Sequence, residues 1–411
     1  MSKHYDALET RSADEREKAQ AAALPGQITH AKSNAPFFAD WLKDVEPAAV
    51  NSRAALAKLP VLRKSNLSAV QKKNPPLGGL LGVPLSQALH IFMSPGPIFE
   101  IDTADKDYFR GARALYAAGF RAGDVVHNTY SYHLTPAGIM METAARALGC
   151  VVVPGGVGQT ELQLDAIEAI RPVGYVGTPS FLKILLEKGA ELGKDVSSIK
   201  KAFVGAEALP PSLRQGFRDR GVATLQSYGT ADLGTIAYES EALEGMIVDE
   251  GVIVEIVRPG TGDPVPEGEV GEVVVTTFSK AYPLVRFGTG DLSAVLPGIS
   301  PCGRTNMRIK GWMGRADQRT KVKGMFVDPE QISLIAKRHP ELGRLRLVID
   351  WVEQQDVMTL KAELAGGSAD QAKTLEGTVQ TICKVRGKVE FVAPGSLPND
   401  GKVVDDVRKY T

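Results

Sequence analysis

Between residues 124 and 209 the chain repeats one rhythm, and that rhythm restricts its fold more than any other feature. Short apolar runs, "GDVVHNTY", "GCVVVPGG", "GYVGTPS" and "KAFVGAEAL", each meet a Gly or Pro. Between them lie the helix-period segments "PAGIMMETAARAL", "ELQLDAIEAI" and "PSFLKILLEKGAEL". Strands this short and this apolar are buried on both faces, and helices between them supply the crossovers a parallel sheet needs. The expectation is an α/β fold, a mostly parallel sheet flanked by helices, with ligands held at the carboxyl ends of its strands. From about residue 250 to 313 the alternation stops, and "GVIVEIVRPGTGDPVPEGEVGEVVVTTFS" reads as strands joined by Gly, Pro and Asp turns, a β subdomain. A helix near 329 to 339, the strands "RLRLVIDWVE" and "VMTLKAEL", a helix near 368 to 384 and the strand "KVEFVA" then form an α+β tail of about 90 residues. Upstream, residues 11 to 45 read as helices, and "KLPVLRKSNLSAV" leads into another helix capped by Ser65 or Asn66.

A chain of 411 residues exceeds one ordinary core, so a large and a smaller domain are expected. Lys plus Arg and Asp plus Glu both number 48, which leaves no net field to draw nucleic acid or an anionic membrane surface. Cys150, Cys302 and Cys383 are far apart with no CxxC pair, so no disulfide framework or zinc ribbon is expected and a reducing cytoplasm fits. The N-terminus is polar, and no run approaches the roughly 20 apolar residues of a membrane span, which predicts a soluble protein.

Several short motifs carry chemistry-bearing residues. "VVVPGGVGQTE" places Gly155 and Gly156 between a strand and a helix, but it lacks the third Gly and terminal acid of a dinucleotide fingerprint. It reads locally as a sharp βα turn. "LQSYGTADLGTIAYE" sets Tyr228 and Gly229 after a strand, a turn over a packed aromatic or a base-stacking tyrosine, with Asp232 close enough for a metal-bound phosphate. In "PLVRFGTGDLSAVLPG", Asp291 is an Asx turn or a rigid acid able to accept two hydroxyl hydrogen bonds from a ribose. "GSLPNDGKVVDDVRKY" puts Lys402 after a turn and before an expected short helix. The strip "GRADQRTKVKGMFVDPEQI" reads as a hairpin turning at Gly324, then a helix with Asp328 as N-cap and Pro329 at its first position.

Taken in order, "FVGAEALPP", "SYGTADLG", "EGEVGEVVVTTFSKAYPLVRFGTGDLSAVLPG", "GRADQRTKVKGMFVDPEQI" and "LPNDGKVVDD" resemble the successive core motifs of adenylate-forming acyl-CoA ligases, in their phenylacetate-CoA ligase branch. The segment from "YSYHLTPAGIMM" to "GYVGTPSFL" is similar to that branch throughout. The resemblance implies a large adenylation domain over 1–316 and a small mobile lid over 317–411, with Asp317 as the hinge. It implies ATP, Mg2+ and CoA, a carboxylic acid substrate that is aromatic or small, and AMP and an acyl-CoA as products. Carried over by position, Gly205, Ala206, Glu207, Tyr228, Gly229 and Thr230 border the nucleotide, Asp291 grips the ribose, and Arg315 lies beside ribose and phosphate. Lys402 is the catalytic cation, Asp232 stands where the family has a Glu near Mg2+, and Tyr132, His133, Gly155 and Gly156 border the acyl pocket. Many members dimerise, which leaves a homodimer open.

The pattern also breaks. Where the family carries a Ser/Thr/Gly-rich phosphate loop ending in Lys, this chain reads "HIFMSPGPIFEI", keeping only Ser94 and Gly96. Two prolines remove backbone donors there. Ala231 replaces a phosphate-binding Ser or Thr, with Thr230 next to it. Some members of the branch hold a zinc, but Ser300 stands at one Cys position and only Cys302 remains, so no zinc is expected. These losses keep two alternatives open: a homologue that binds an adenylate without turnover, and an adenylating enzyme with an acceptor other than CoA.

Overall fold

The computed structural model describes residues 3–316, 318, 320–322, 325–352 and 355–408. Two compact units emerge. The first comprises Met1–Val254, Val275–Phe287 and Leu296–Trp312; the second comprises Glu255–Val274, Gly288–Val295 and Met313–Thr411.

In the first unit the predicted alternation becomes a parallel array in the order Val151–Pro154, Val125–Asn128, Gly174–Gly177, Lys201–Val204 and Ala223–Thr230. Gly234–Tyr238 and Met246–Val248 extend it antiparallel. Helices Ala137–Ala147, Thr160–Ile170, Pro179–Leu192 and Pro211–Asp219 connect or flank these strands. Period-two alternation sorts the side chains onto two faces. Val126, Val176 and Phe203 join one buried cluster with Phe120, Met141 and Ala144, while Tyr175, Ala202 and Val204 join another with Leu164, Leu182 and Leu185. Each fully buried Leu or Phe contributes about 1.5–3 kcal/mol, so a polar residue on either face has to be explained individually.

Helix Pro179–Leu192 shows why its boundaries are legible. Thr178 caps it by accepting from the Phe181 N–H, Pro179 opens it, and Gly193 ends it at φ +67°. Helix Lys64–Lys73 differs from expectation: it starts at Lys64 with Arg63 at the N-cap and no side-chain cap bond, so neither Ser65 nor Asn66 caps it. Residues 88–103 form the hairpin Ala88–Ser94 and Ile98–Thr103, in register from Ile91↔Ile101 to Ser94↔Ile98. The stretch at the phosphate-loop position is therefore a tight strand-to-strand turn.

Strands Val252–Val257, Gly271–Thr277 and Phe287–Ser293 form the β subdomain with the short Leu62–Arg63, and the boundary between the compact units cuts through the three longer ones. In the second unit the sheet order is Lys388–Val392, Gln355–Glu363, Leu345–Val352, Val404–Asp406. Helices Pro329–Arg338 and Ala369–Cys383 accompany it, with a core of Ile332, Ile335, Leu347, Ile349, Leu360, Leu375 and Val379. Asp328 caps the first helix with Pro329 behind it, as the sequence predicts, and Gln331 completes a capping box. Thr320–Val322 and Met325–Val327 pair as the expected hairpin; Gly324 lies outside the described residues. The short helix expected after Lys402 is instead the strand Val404–Asp406, which runs parallel to Leu347–Ile349. A free sheet edge supplies ladder partners that three residues with little helix propensity cannot provide for themselves.

Candidate active site

In the first unit, a cavity of about 230 Å³ opens at the carboxyl ends of the strands. Among the residues singled out from sequence, Ser94, Gly205, Ala206, Gly229 and Thr230 line it, together with Tyr130, Met140, Met141, Ser227 and Ala231. Gly205 follows strand Lys201–Val204 and donates its N–H to the Gly177 carbonyl at 3.3 Å. A Cβ there would lie 3.1 Å from Ser227 Oγ and 3.2 Å from Tyr130 Oη, so the backbone itself forms the wall. Ala206 adopts φ +65°, turning the chain sharply beneath the cavity. Glu207 is exposed and accepts the Ser180 N–H at 3.3 Å.

Tyr228 is buried within strand Ala223–Thr230, and the ladder shifts register between it and Gly229. A Cβ on Gly229 would sit 2.5 Å from the Gly234 carbonyl oxygen, which requires glycine there. Thr230 Oγ1 accepts the Leu233 N–H at 3.2 Å. Tyr132, His133, Gly155 and Gly156 do not line this cavity. Tyr132 accepts from Asn128 Nδ2 at 2.8 Å, and burial pushes its phenol above the ordinary range. His133 is exposed. The Gly155 and Gly156 loop packs on a buried pair, His127 Nε2 and Gln163 Oε1 at 2.7 Å, and Gln163 donates to the Gly156 and Gly158 carbonyls. Burial lowers the His127 pKa and keeps the ring neutral.

A charge cluster that sequence reasoning missed surrounds Asp232. Lys64 Nζ meets Asp232 Oδ2 at 2.5 Å, while Asp232 Oδ1 is buried with no partner among the described residues. Ser94 Oγ donates to Glu100 Oε1, and Glu100 Oε2 is likewise buried with no partner among the described residues. Burial first, and the Asp232 charge second, push the Glu100 carboxyl up to about 8. Ser94 thus spends its donor on Glu100. The signal was present in "PIFEI", where an acid occupies an inward position of an otherwise apolar alternation.

In the second unit Asp291 lies on strand Phe287–Ser293, with Arg315 Nη1 on its Oδ1 at 2.9 Å and a backbone bridge between the two residues. Gly290 has φ +75°, and a Cβ there would approach Arg315 Nη2 to 2.7 Å, so only glycine leaves room for the guanidinium against the strand. Lys402 is half exposed and pairs with Asp405 at 3.0 Å. Asp317 lies outside the described residues. At the position of the family's zinc, Ser300 Oγ donates to Cys302 Sγ at 3.1 Å, and Arg304 pairs with buried Glu9 at 2.6 Å. Among the described residues no group of three or more His, Cys, Asp or Glu is arranged to hold a metal.

The family described as AMP-binding enzyme matches residues 105–279. The chain is 30% identical to the phenylacetate-coenzyme A ligase of Aromatoleum evansii over 95% of its own length and 93% of that protein. It belongs to the phenylacetate-coenzyme A ligase family of adenylate-forming enzymes. The phenylacetate-coenzyme A ligase of Thermus thermophilus is likewise 30% identical, over 87% of this chain and 83% of that one. Crystallised 2-hydroxyisobutyryl-CoA ligase, in complex with 2-HIB-AMP and CoA in the thioesterification state, superposes with a TM-score of 0.72 at 25% identity, covering 99% of this chain and 93% of that one. The fold is that of the adenylate-forming CoA ligases, an α/β architecture with mixed sheets. No helix among the described residues is long and apolar enough to cross a membrane.

Proposed function

We infer that this chain, an AMP-forming acid:CoA ligase by family, activates an aromatic or small organic acid with ATP and passes the acyl group to CoA. The observation that carries the substrate class is the 230 Å³ cavity, walled by Met140, Met141, Pro136 and Ala137 on one side and by glycine backbone on the other. Such a volume and lining suit a compact, flat, apolar group.

In the first half-reaction a carboxylate oxygen of the acid forms a bond to the α-phosphorus, the bond from that phosphorus to the bridging oxygen breaks, and pyrophosphate leaves. Tyr228 would stack the adenine, Asp291 would accept the ribose hydroxyls, and Arg315, already held on Asp291, would face ribose and phosphate. The Lys402 ammonium would meet the negative charge that accumulates on the phosphoryl oxygens, a stabilisation realised in the transition state. Asp232 offers one buried, unpartnered carboxylate oxygen, which fits a single contact to a hard cation that takes its remaining oxygens from phosphates and water. Mg2+ held there would neutralise the departing pyrophosphate. In the second half-reaction the CoA thiol sulfur bonds to the acyl carbon, the thiol proton passes to solvent, and AMP leaves. We place the division between the two motions at residue 317, with residues 317–411 as the mobile lid. The three free cysteines, all buried, suit the cytoplasm.

One observation favours a second reading. Ser94 donates to Glu100, and Lys64 is paired to Asp232, so the groups nearest the missing phosphate loop are engaged with each other. A binder that holds an acyl-adenylate without turnover would look the same. Pyrophosphate release measured with a panel of aryl and short-chain acids, with and without CoA, separates the readings. Acid-dependent release with thioester formation supports the ligase, release without thioester indicates another acceptor, and no release with any acid overturns the enzymatic reading.

A further inference from the structure

The loop that carries Lys402 is held by two neutral amide side chains that the family reading does not assign. Gln318 Oε1 accepts the Val403 N–H at 2.6 Å and the Val404 N–H at 2.9 Å, while its Nε2 donates to the Gly401 carbonyl at 2.9 Å. One side chain thus brackets the backbone on both sides of Lys402. On the other flank, Asn399 Oδ1 accepts the Val270 N–H at 3.0 Å and Asn399 Nδ2 donates to the Gly268 carbonyl at 3.2 Å. Gly401, at φ +71°, lies so close that a Cβ would be 2.8 Å from Val270 Cγ1 and 3.0 Å from Leu292 Cδ2. All these residues belong to the second unit.

We propose that Gln318 and Asn399 are positioning residues for Lys402: Gln318 fixes the lysine's backbone to the strip beside residue 317, and Asn399 docks the same loop on the 268–270 turn. This rests on the reading of Lys402 as the cation of adenylate formation. The chemistry of the clamp supports the assignment. Five amide hydrogen bonds converge on the loop 399–404, beside the Asp400 carboxylate, which accepts the Lys402 N–H at 3.1 Å and the Arg346 guanidinium; the amides fix the backbone on either side of the lysine and leave its ammonium outside the clamp. The Lys402 ammonium itself pairs with Asp405 at 3.0 Å, so the two amides act on its backbone and not on its charge. The partner sites also differ in kind. The Gln318 bonds join residues 318 and 401–404, all beyond residue 317, and travel with the lid; the Asn399 bonds reach back to residues 268 and 270 and exist only in the docked arrangement.

The test compares the two half-reactions. With the acid that releases pyrophosphate fastest, Gln318→Ala, which loses three hydrogen bonds, and Asn399→Ala, which loses two, should each slow that release roughly tenfold or more. Thioester formation from the corresponding synthetic acyl-adenylate and CoA, which does not use Lys402, should stay within about twofold. Independently of any acid, hydrogen exchange at the Val403 and Val404 amides should accelerate in Gln318→Ala. Gln318→Glu retains both acceptor bonds, so the same two amides should stay protected in that variant. Equal loss in both half-reactions, or unchanged exchange at 403 and 404 in Gln318→Ala, overturns the positioning role. Lys402→Ala run alongside separates the two ideas: if it leaves release intact the lysine reading fails, whereas if it abolishes release while both amide variants remain at wild-type rate only the clamp fails.

Discussion

Replacing Glu100 by Gln should change how stability depends on pH, and the structure gives the size of the effect. Glu100 is 1% exposed, with Oε1 accepting from Ser94 and Oε2 unpartnered. Burial, reinforced by the Asp232 charge, raises its pKa from 4.5 to about 8. A carboxyl with a folded pKa above its unfolded value keeps its full contribution below the unfolded pKa and loses it as pH rises towards the folded one. Between about pH 5 and pH 8 the unfolded chain has released this proton and the folded chain has not, which costs about 1.4 kcal/mol per pH step and about 4 kcal/mol across the window. Gln keeps the shape and an acceptor for Ser94 but has no proton to lose. At about pH 5 the variant should be equal or slightly less stable, by about 1 kcal/mol, because its amide brings one more buried N–H than the protonated acid. By about pH 8.5 it should exceed wild type by about 3 kcal/mol, and the difference should level off above that. Urea denaturation across this range measures the difference directly. Parallel stability curves for the two proteins would refute the argument, because they would mean that Glu100 ionises in the folded protein as readily as in the unfolded chain.

Three further substitutions probe the same geometry. Lys402→Ala should nearly abolish pyrophosphate release while leaving the nucleotide dissociation constant within about twofold by calorimetry, since its charge acts in the transition state. Lys64→Met removes the partner of a buried carboxylate and should cost about 3–5 kcal/mol in urea denaturation; a loss under about 1 kcal/mol would mean that solvent screens the Asp232 charge as it does at an exposed pair. Gly177→Ala would place a Cβ 2.0 Å from Thr129 Oγ1 and 2.4 Å from Tyr175 Oη. It should cost about 1–3 kcal/mol or more as that hydrogen-bonded pair is forced apart, read as a lowered urea midpoint.

The parts of the fold legible in the sequence are those set by local periodicity. The four apolar runs between 124 and 209 are four parallel strands because period-two alternation and βα turns are written within a few residues. The Asp328 cap is readable for the same reason: the cap residue and Pro329 are adjacent in the chain. The segment after Lys402 has no such local signature. Val404–Asp406 is a strand only by virtue of pairing with Leu347–Ile349, some 57 residues earlier in the chain. The site divides along the same line. Gly205 and Gly229 stand out already in the sequence, the first by family resemblance and the second after its strand, and in each case a Cβ would meet a neighbour within 3.1 Å; the same need at Gly290 shows only in the structure, where a Cβ would lie 2.7 Å from Arg315 Nη2. The pairing of Lys64 with Asp232 spans 168 residues and leaves no local trace.

That pairing bears on the question raised by the lysine-less turn. A phosphate loop works by presenting backbone N–H groups and one ammonium to an anion. Here Pro95 and Pro97 withhold two of the N–H groups, and Ser94 turns its hydroxyl to Glu100. Yet Lys64 keeps an ammonium in the same cluster as Ser94, Glu100 and Asp232, 24% exposed at its side chain and balanced against one carboxylate. A protonated Glu100 leaves the cluster with one negative and one positive charge; an ionised Glu100 adds a second negative charge against which incoming phosphates would be repelled. Nucleotide affinity should therefore weaken as pH rises through about 8, with Glu100→Gln abolishing the decline. Calorimetric titration of ATP into both proteins on either side of that pH decides it: a decline that persists in the glutamine variant would place its origin in a group other than Glu100.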